Sequence, residues 1–139
     1  MIRYVDSSVI LRAVLGQRGA LAGLDEPGNS ITSALTRVEC LRTVDRVRLE
    51  ESLSDDELAR RREAVFLLLK SFVLVDPVPA ILERAAQPLP TVLGTLDAVH
   101  LSTALLWQEI EQEPVSFATH DLALARAARA CGLAVIGSP

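Results

Sequence analysis

The sequence predicts an α/β protein with a central parallel β-sheet flanked by α-helices. Short apolar runs alternate with longer stretches of helical periodicity from one end of the chain to the other. Strands interleaved with helices in this way lie parallel in a sheet covered on both faces. Half of the residues are hydrophobic and only 4% are aromatic, so the core is Val, Leu, Ile and Ala. The length of 139 residues suits one domain, residues 1–139, with room for a real core.

The elements follow in order. Ile2 to Val5 is the first strand, and Ser7 to Leu15 the first helix. Gly16 to Asn29 is rich in turn residues and reads as a loop or short helix. A strand is expected near Ser30 to Thr32, then a helix from Ala34 to Leu49 with an apolar stripe of Leu35, Val38 and Leu41. Ser54 and Glu57 have the spacing of a capping box, which satisfies free N–H groups at a helix start. That helix runs to about Lys70.

Phe72 to Val75 is β-rich, and Val78 to Ala86 has helical spacing. Pro88 and Pro90 mark a loop, because each disfavours helix for the residue before it. A helix is expected from Leu96 to Glu111, a strand from Val115 to Ala118 and a helix from Asp121 to Ala130. Gly132 stands in the usual position for ending that helix. Ala134 to Ile136 is the last strand.

Charge and cysteine content narrow the class. The net charge is −4, unlike the basic balance of most nucleic-acid binders. An acidic protein can still handle RNA if metal ions invert the charge of its site. The stretch from Arg37 to Arg62 is rich in both arginine and acids and reads as a solvated helix face. Cys40 and Cys131 form no CxxC or zinc spacing and read as buried, reduced thiols. No apolar run reaches the roughly 20 residues that span a bilayer. A strand starts at once in MIRYVDSS with no signal-peptide pattern, so a cytoplasmic protein without membrane association is expected.

Four acids carry the candidate chemistry: Asp6, Glu39, Asp97 and Asp121. Three stand at or just beyond a change from strand-like to helix-like sequence. In a parallel sheet the carboxyl ends of the strands converge on one edge, where ligands bind. Taken singly, Asp6 and Asp121 suit helix N-caps, and Asp97 suits the first turn of a helix. Glu39 lies mid-helix, where its simplest partner is Arg42 at i+3.

Converging acids are costly. Two carboxylates about 4 Å apart repel by roughly 4 kcal/mol at an effective dielectric near 20. Such a cluster stays ionised only if divalent cations neutralise it; otherwise some acids take up protons. Oxygen-only ligands favour Mg²⁺ or Mn²⁺, which can activate water and stabilise the leaving oxygen of a phosphodiester. His100 and His120 adjoin these acids and read first as core or capping histidines. Ser7 and Thr119 are hydroxyl residues beside the acids. They could orient a carboxylate or a water, or bond the nearby backbone.

Four stretches, in order, give the chain a resemblance: YVDSSVILRAV, SALTRVECLRT, LGTLDAVHLSTAL and ATHDLALARAARACGLAVI. Together they resemble the PIN-domain ribonucleases, specifically the VapC-type toxins of bacterial toxin–antitoxin pairs. The resemblance covers nearly the whole chain. It implies a PIN-like fold and places the family's acidic quartet on Asp6, Glu39, Asp97 and Asp121, with its hydroxyl positions on Ser7 and Thr119. It implies an Mg²⁺- or Mn²⁺-dependent ribonuclease, often a homodimer, silenced by a small antitoxin. Asp6, Asp97 and Asp121 would ligate the metal, and Glu39 would hold a water or a second metal. Cleavage would leave 3′-hydroxyl and 5′-phosphate ends.

Rival readings fit less well. An aspartyl-phosphate phosphatase resembles a D-x-D start, but Ser8 stands at the second position. A receiver domain needs a Lys after a late strand, and the only Lys is Lys70. A catalytically idle PIN-like domain kept for binding or assembly is the alternative that the intact acids argue against.

Overall fold

The computed structural model describes residues 2–139. Among them are five strands in one all-parallel sheet of order β3-β2-β1-β4-β5. The strands are β1 (Ile2–Val5), β2 (Ser30–Ser33), β3 (Val73–Val75), β4 (Val115–Ala118) and β5 (Ala134–Ile136). The helices are α1 (Ser7–Val14), α2 (Leu35–Glu51), α3 (Asp55–Leu69), α4 (Pro79–Ala85), α5 (Thr95–Glu111) and α6 (Leu122–Ala130). This is the α/β architecture expected from the alternation of runs. No helix is long and apolar enough to cross a membrane, among the described residues.

Side chains of a strand point alternately to the two faces, and β1 divides the core accordingly. Tyr4 joins Ile31, Leu101, Phe117 and Leu124 on the face covered by α5 and α6. Val5 joins Val9, Cys40, Val44, Val65 and Ala118 on the face covered by α1, α2 and α3. The chain leaves β1 toward β2 on one side and enters β4 on the other. That reversal opens a crevice at the carboxyl ends of β1 and β4. Val5 pairs with Ala118, so Asp6 and Thr119 emerge side by side as the next residues.

Element limits lie within two residues of expectation, with some corrections. Residues 16–29 form turns and bends before β2, not a helix. Phe72 is buried but stands just before β3. Pro79 takes the first position of α4, where its missing N–H costs nothing. Ser54 caps α3 by accepting the Glu57 N–H at 3.2 Å. Cys40 is buried as expected, whereas Cys131, at the carboxyl end of α6, is only half-buried.

The stripe of α2 is also corrected. Val38 is 53% exposed. The buried line is Thr36, Cys40 and Val44, spaced at i and i+4 as one helix face requires. Thr36 is admitted to the interior by its hydroxyl bond to Thr32 at 2.7 Å. This rotation carries Glu39 toward the crevice.

Candidate metal centre at the carboxyl edge of the sheet

Asp6 is 3% exposed at the end of the central strand. It occupies the N-cap position of α1, but its side chain makes no capping bond. Instead Oδ2 accepts from Ser8 Oγ at 2.6 Å and from Thr119 Oγ1 at 2.7 Å. These two hydroxyls hold one carboxylate oxygen in place. Oδ1 has only the long 3.3 Å contact from Ser7. Of the two oxygens, it is the one left for a cation.

Ser7 also reaches Glu39 Oε2 at 3.4 Å, tying β1's acid to that of α2. Glu39 does not pair with Arg42. Its Oε1 lies 2.5 Å from His100 Nε2. The other ring nitrogen of His100 lies 2.5 Å from the Tyr4 hydroxyl, which also accepts the Ser33 N–H at 3.1 Å. Tyr4 and Asp6 stand two residues apart on β1 and its extension, so a chain of polar contacts runs beneath the carboxylates. His100 is 1% exposed. Its own burial disfavours the charged ring, but the Glu39 bond and the charges of Asp6, Glu39 and Asp97 outweigh this and raise its pKa.

Asp121 caps α6, as its position suggested: Oδ1 accepts the Leu124 N–H at 2.9 Å. Thr119 Oγ1 accepts the Asp121 N–H at 3.0 Å while donating to Asp6. One hydroxyl therefore sets the spacing of two acids. The loop is held from behind. His120 Nδ1 meets the Gly137 carbonyl at 2.7 Å, and Ser138 Oγ donates to the Thr119 carbonyl at 2.8 Å. A Cβ at Gly137, whose φ is +89, would lie 2.9 Å from that carbonyl oxygen. Only glycine permits this close approach. His120 thus serves the loop rather than the acids.

The capping role separates cleanly from a ligand role. Asp121→Asn keeps a cap acceptor and is expected to retain stability. Asp121→Ala is expected to lose about 1 kcal/mol. Both should weaken metal binding. Equal melting temperatures for the two variants would contradict the cap.

Asp97 lies in the first turn of α5. Its carboxyl is pushed up to about 6, first by burial, then by the carboxylates of Asp121, Asp6 and Glu39, with His100 opposing. In an unfolded chain an Asp titrates near about 3.9. Over the interval between, the folded protein keeps a proton that the unfolded one has lost. The stability this supplies is full below roughly pH 4 and lost as pH rises through 6. Metal-free wild type should therefore lose melting temperature relative to Asp97→Asn between those limits, and Mn²⁺ should restore it. A difference that stays flat across the range would show that the acids do not repel one another.

Hydroxyl bridges thus link Asp6 to Glu39 through Ser7 and to Asp121 through Thr119, and the charges of all three act on Asp97. Among the described residues, no three His, Cys, Asp or Glu side chains stand close enough to enclose an ion directly. Mg²⁺ does not require that: it keeps several waters and is held through one or two carboxylates. The donors are hard oxygens, and the carboxylates of Asp121, Asp6 and Glu39 add to burial in raising Asp97. Such oxygen donors suit a hard divalent cation.

The PIN domain family model matches residues 3–130 of this chain. This protein belongs to the PIN domain family. PIN domains are generally nucleases and typically use a divalent metal. This PIN domain is similar in structure to a chain in the crystal structure of VapBC2 from Rickettsia felis bound to a DNA fragment from their promoter. The TM-score is 0.62 at 13% identity, over 98% of each chain. That likeness is one of fold. No curated protein is similar to this PIN domain at a significant level.

Two parts of the site had no place in the sequence reading. Ser8 was considered only as a departure from D-x-D, yet its hydroxyl makes the shortest bond to Asp6. Tyr4 was read only as part of a strand. Its signal was being the sole tyrosine, two residues before Asp6, and therefore on the same side of the strand.

Proposed function

We propose that this PIN domain is a metal-dependent endoribonuclease of the VapC type, a single domain acting as the toxin of a toxin–antitoxin pair in the cytoplasm. The observation that carries the reading is the linkage of Asp6 to Glu39 through Ser7 and to Asp121 through Thr119, with Asp97 in the field of all three. The family membership and the fold likeness support it.

Asp6, Asp97 and Asp121 would hold Mg²⁺ or Mn²⁺, in part through the waters such an ion keeps. When bound, such an ion lowers the pKa of water and neutralises charge on phosphate. The chain's own residues do the rest. Ser8 and Thr119 keep the Asp6 carboxylate oriented, and Ser7 and His100 keep Glu39 oriented. Glu39 would accept a proton from the attacking water. Oxygen of that water bonds to phosphorus, the bond from phosphorus to the 3′ oxygen breaks, and the 3′ oxygen takes up a proton. The products are a 3′-hydroxyl and a 5′-phosphate. Arg42 is exposed one turn beyond Glu39 on α2, where it suits a flanking phosphate. Arg46 and Arg129 suit this less, being engaged with Glu50 and the Ser138 carbonyl.

An acidic crevice also attracts an arginine or lysine from an inhibitory tail, since a cation can stand in for the metal. This supports a VapB-type antitoxin as partner. Leu82 and Val92, the latter 95% exposed, line an apolar cleft between α4 and α5. Its exposure supports association with a second protein surface, including a homodimer.

The test is cleavage of total cellular RNA by antitoxin-free protein in Mg²⁺, Mn²⁺ and EDTA. Discrete fragments with 5′-phosphate ends that vanish in EDTA are expected. A folded protein that binds Mn²⁺ but cuts no RNA would refute the activity. One that binds neither metal nor RNA would favour the idle-domain alternative.

A further inference from the structure

Six of the thirteen arginines are committed. Arg46, Arg48 and Arg84 sit in ion pairs. Arg3, Arg61 and Arg129 donate to backbone carbonyls. Arg37 and Arg62 do neither. Their guanidinium carbons lie 5.2 and 5.8 Å from the centroid of the Phe66 ring, within range of a cation–π attraction. Lys70 follows Phe66 by one turn, so Arg62, Phe66 and Lys70 share one face of α3.

None of these three cations has a carboxylate within ion-pair distance, among the described residues. Arg37, Phe66, Leu69, Lys70, Phe72 and Leu74 line a trough of about 440 Å³ that contains no acid. On a chain of net charge −4 the trough holds two cations and no acid; Arg62 lines the adjoining pocket with Phe66 and Lys70, where Asp55 and Glu63 also stand beyond ion-pair distance. A guanidinium steadied by a ring, rather than by a carboxylate, keeps its N–H edge free for phosphate. Its plane remains suited to stacking on a base.

Position selects the ligand. Arg37 stands two residues before Glu39 on α2, and so on the other side of that helix. Helices with their side chains are about 10–12 Å across. A strand that crosses the start of α2 would meet both residues. The acids repel a polyanion, so a cationic anchor away from them is what an RNA substrate requires.

We propose that this trough is a subsite for single-stranded RNA, binding phosphates and a base away from the cleaved bond. It rests on the ribonuclease reading above. The test compares wild type with R37Q/R62Q in Mg²⁺, on a long single-stranded RNA and on a short oligonucleotide confined to the crevice. KM for the long RNA should rise roughly tenfold with kcat unchanged. The slope of log affinity against log salt should flatten by about 1.4, for two lost phosphate contacts on a single strand. KM for the short RNA should not move. R37K/R62K should recover most of the salt slope, which a merely structural role would not predict.

Unchanged KM and salt slope in R37Q/R62Q, with wild type active, would overturn the subsite alone. Intact RNA kinetics with lost affinity for an acidic amphipathic peptide would overturn it in favour of a protein partner. A wild type that neither binds nor cleaves RNA would overturn the ribonuclease reading beneath it.

Discussion

Asp6→Asn is expected to lower RNA cleavage by more than about 100-fold, the upper end of what losing even an outer partner of a metal ligand costs. The fold should not suffer. Asparagine matches the shape of the carboxylate, and the Ser8 and Thr119 hydroxyls that now donate to Oδ2 can rotate to serve an amide. Removing one charge also relieves the repulsion felt by Asp97. Metal-free Asp6→Asn should therefore melt at or above the wild-type temperature, trading function for stability as active sites often do. Its stabilisation by Mn²⁺ should shrink at the same time. Activity retained in full by the folded variant would remove Asp6 from the site.

His100→Leu should damage both stability and activity. The buried Tyr4 hydroxyl would lose its short partner, at a cost of about 1–3 kcal/mol for an unsatisfied polar group. Glu39 would lose the bond that fixes Oε1. Loss of a contact that orients a functional carboxylate lowers activity by roughly 10–100-fold. The pH dependence has a definite sign. His100 is held above its ordinary value, so its contribution to stability is full below about pH 6.5 and is lost as pH rises through the raised value. Thermal melts of wild type and His100→Leu from pH 5 to 9 should converge toward the alkaline end. A wild-type cleavage rate in His100→Leu would reduce His100 to a core residue.

Much of the fold was legible because βα alternation is a local signal. Each strand is a short apolar run, and each helix has its own period and punctuation. The face of α2 was misjudged because hydrophobicity favoured Val38 over Thr36. Thr36 is buried through a hydroxyl bond to Thr32, which periodicity does not record. The positions of the acids were legible too, but not what their side chains do. Asp6 looked like a cap for α1, and its backbone does stand there. Its carboxylate turns away because Thr119, 113 residues later, offers a better partner at the end of the neighbouring strand. Asp121, with no such competitor, caps α6 as expected. The links from Tyr4 to His100 and from His100 to Glu39 span 96 and 61 residues. No local pattern joins them. Strand order and the packing of α5 across the sheet bring them together.

The most direct test titrates Mn²⁺ against one defined RNA, following metal binding and cleavage in the same samples of wild type and Asp97→Asn. The carboxylate-cluster account predicts that cleavage rises with metal occupancy in wild type. In Asp97→Asn both curves should shift together to higher Mn²⁺, with no cleavage in EDTA. Cleavage that persists in EDTA, or an Asp97→Asn variant that binds Mn²⁺ and cuts RNA as wild type does, would contradict it.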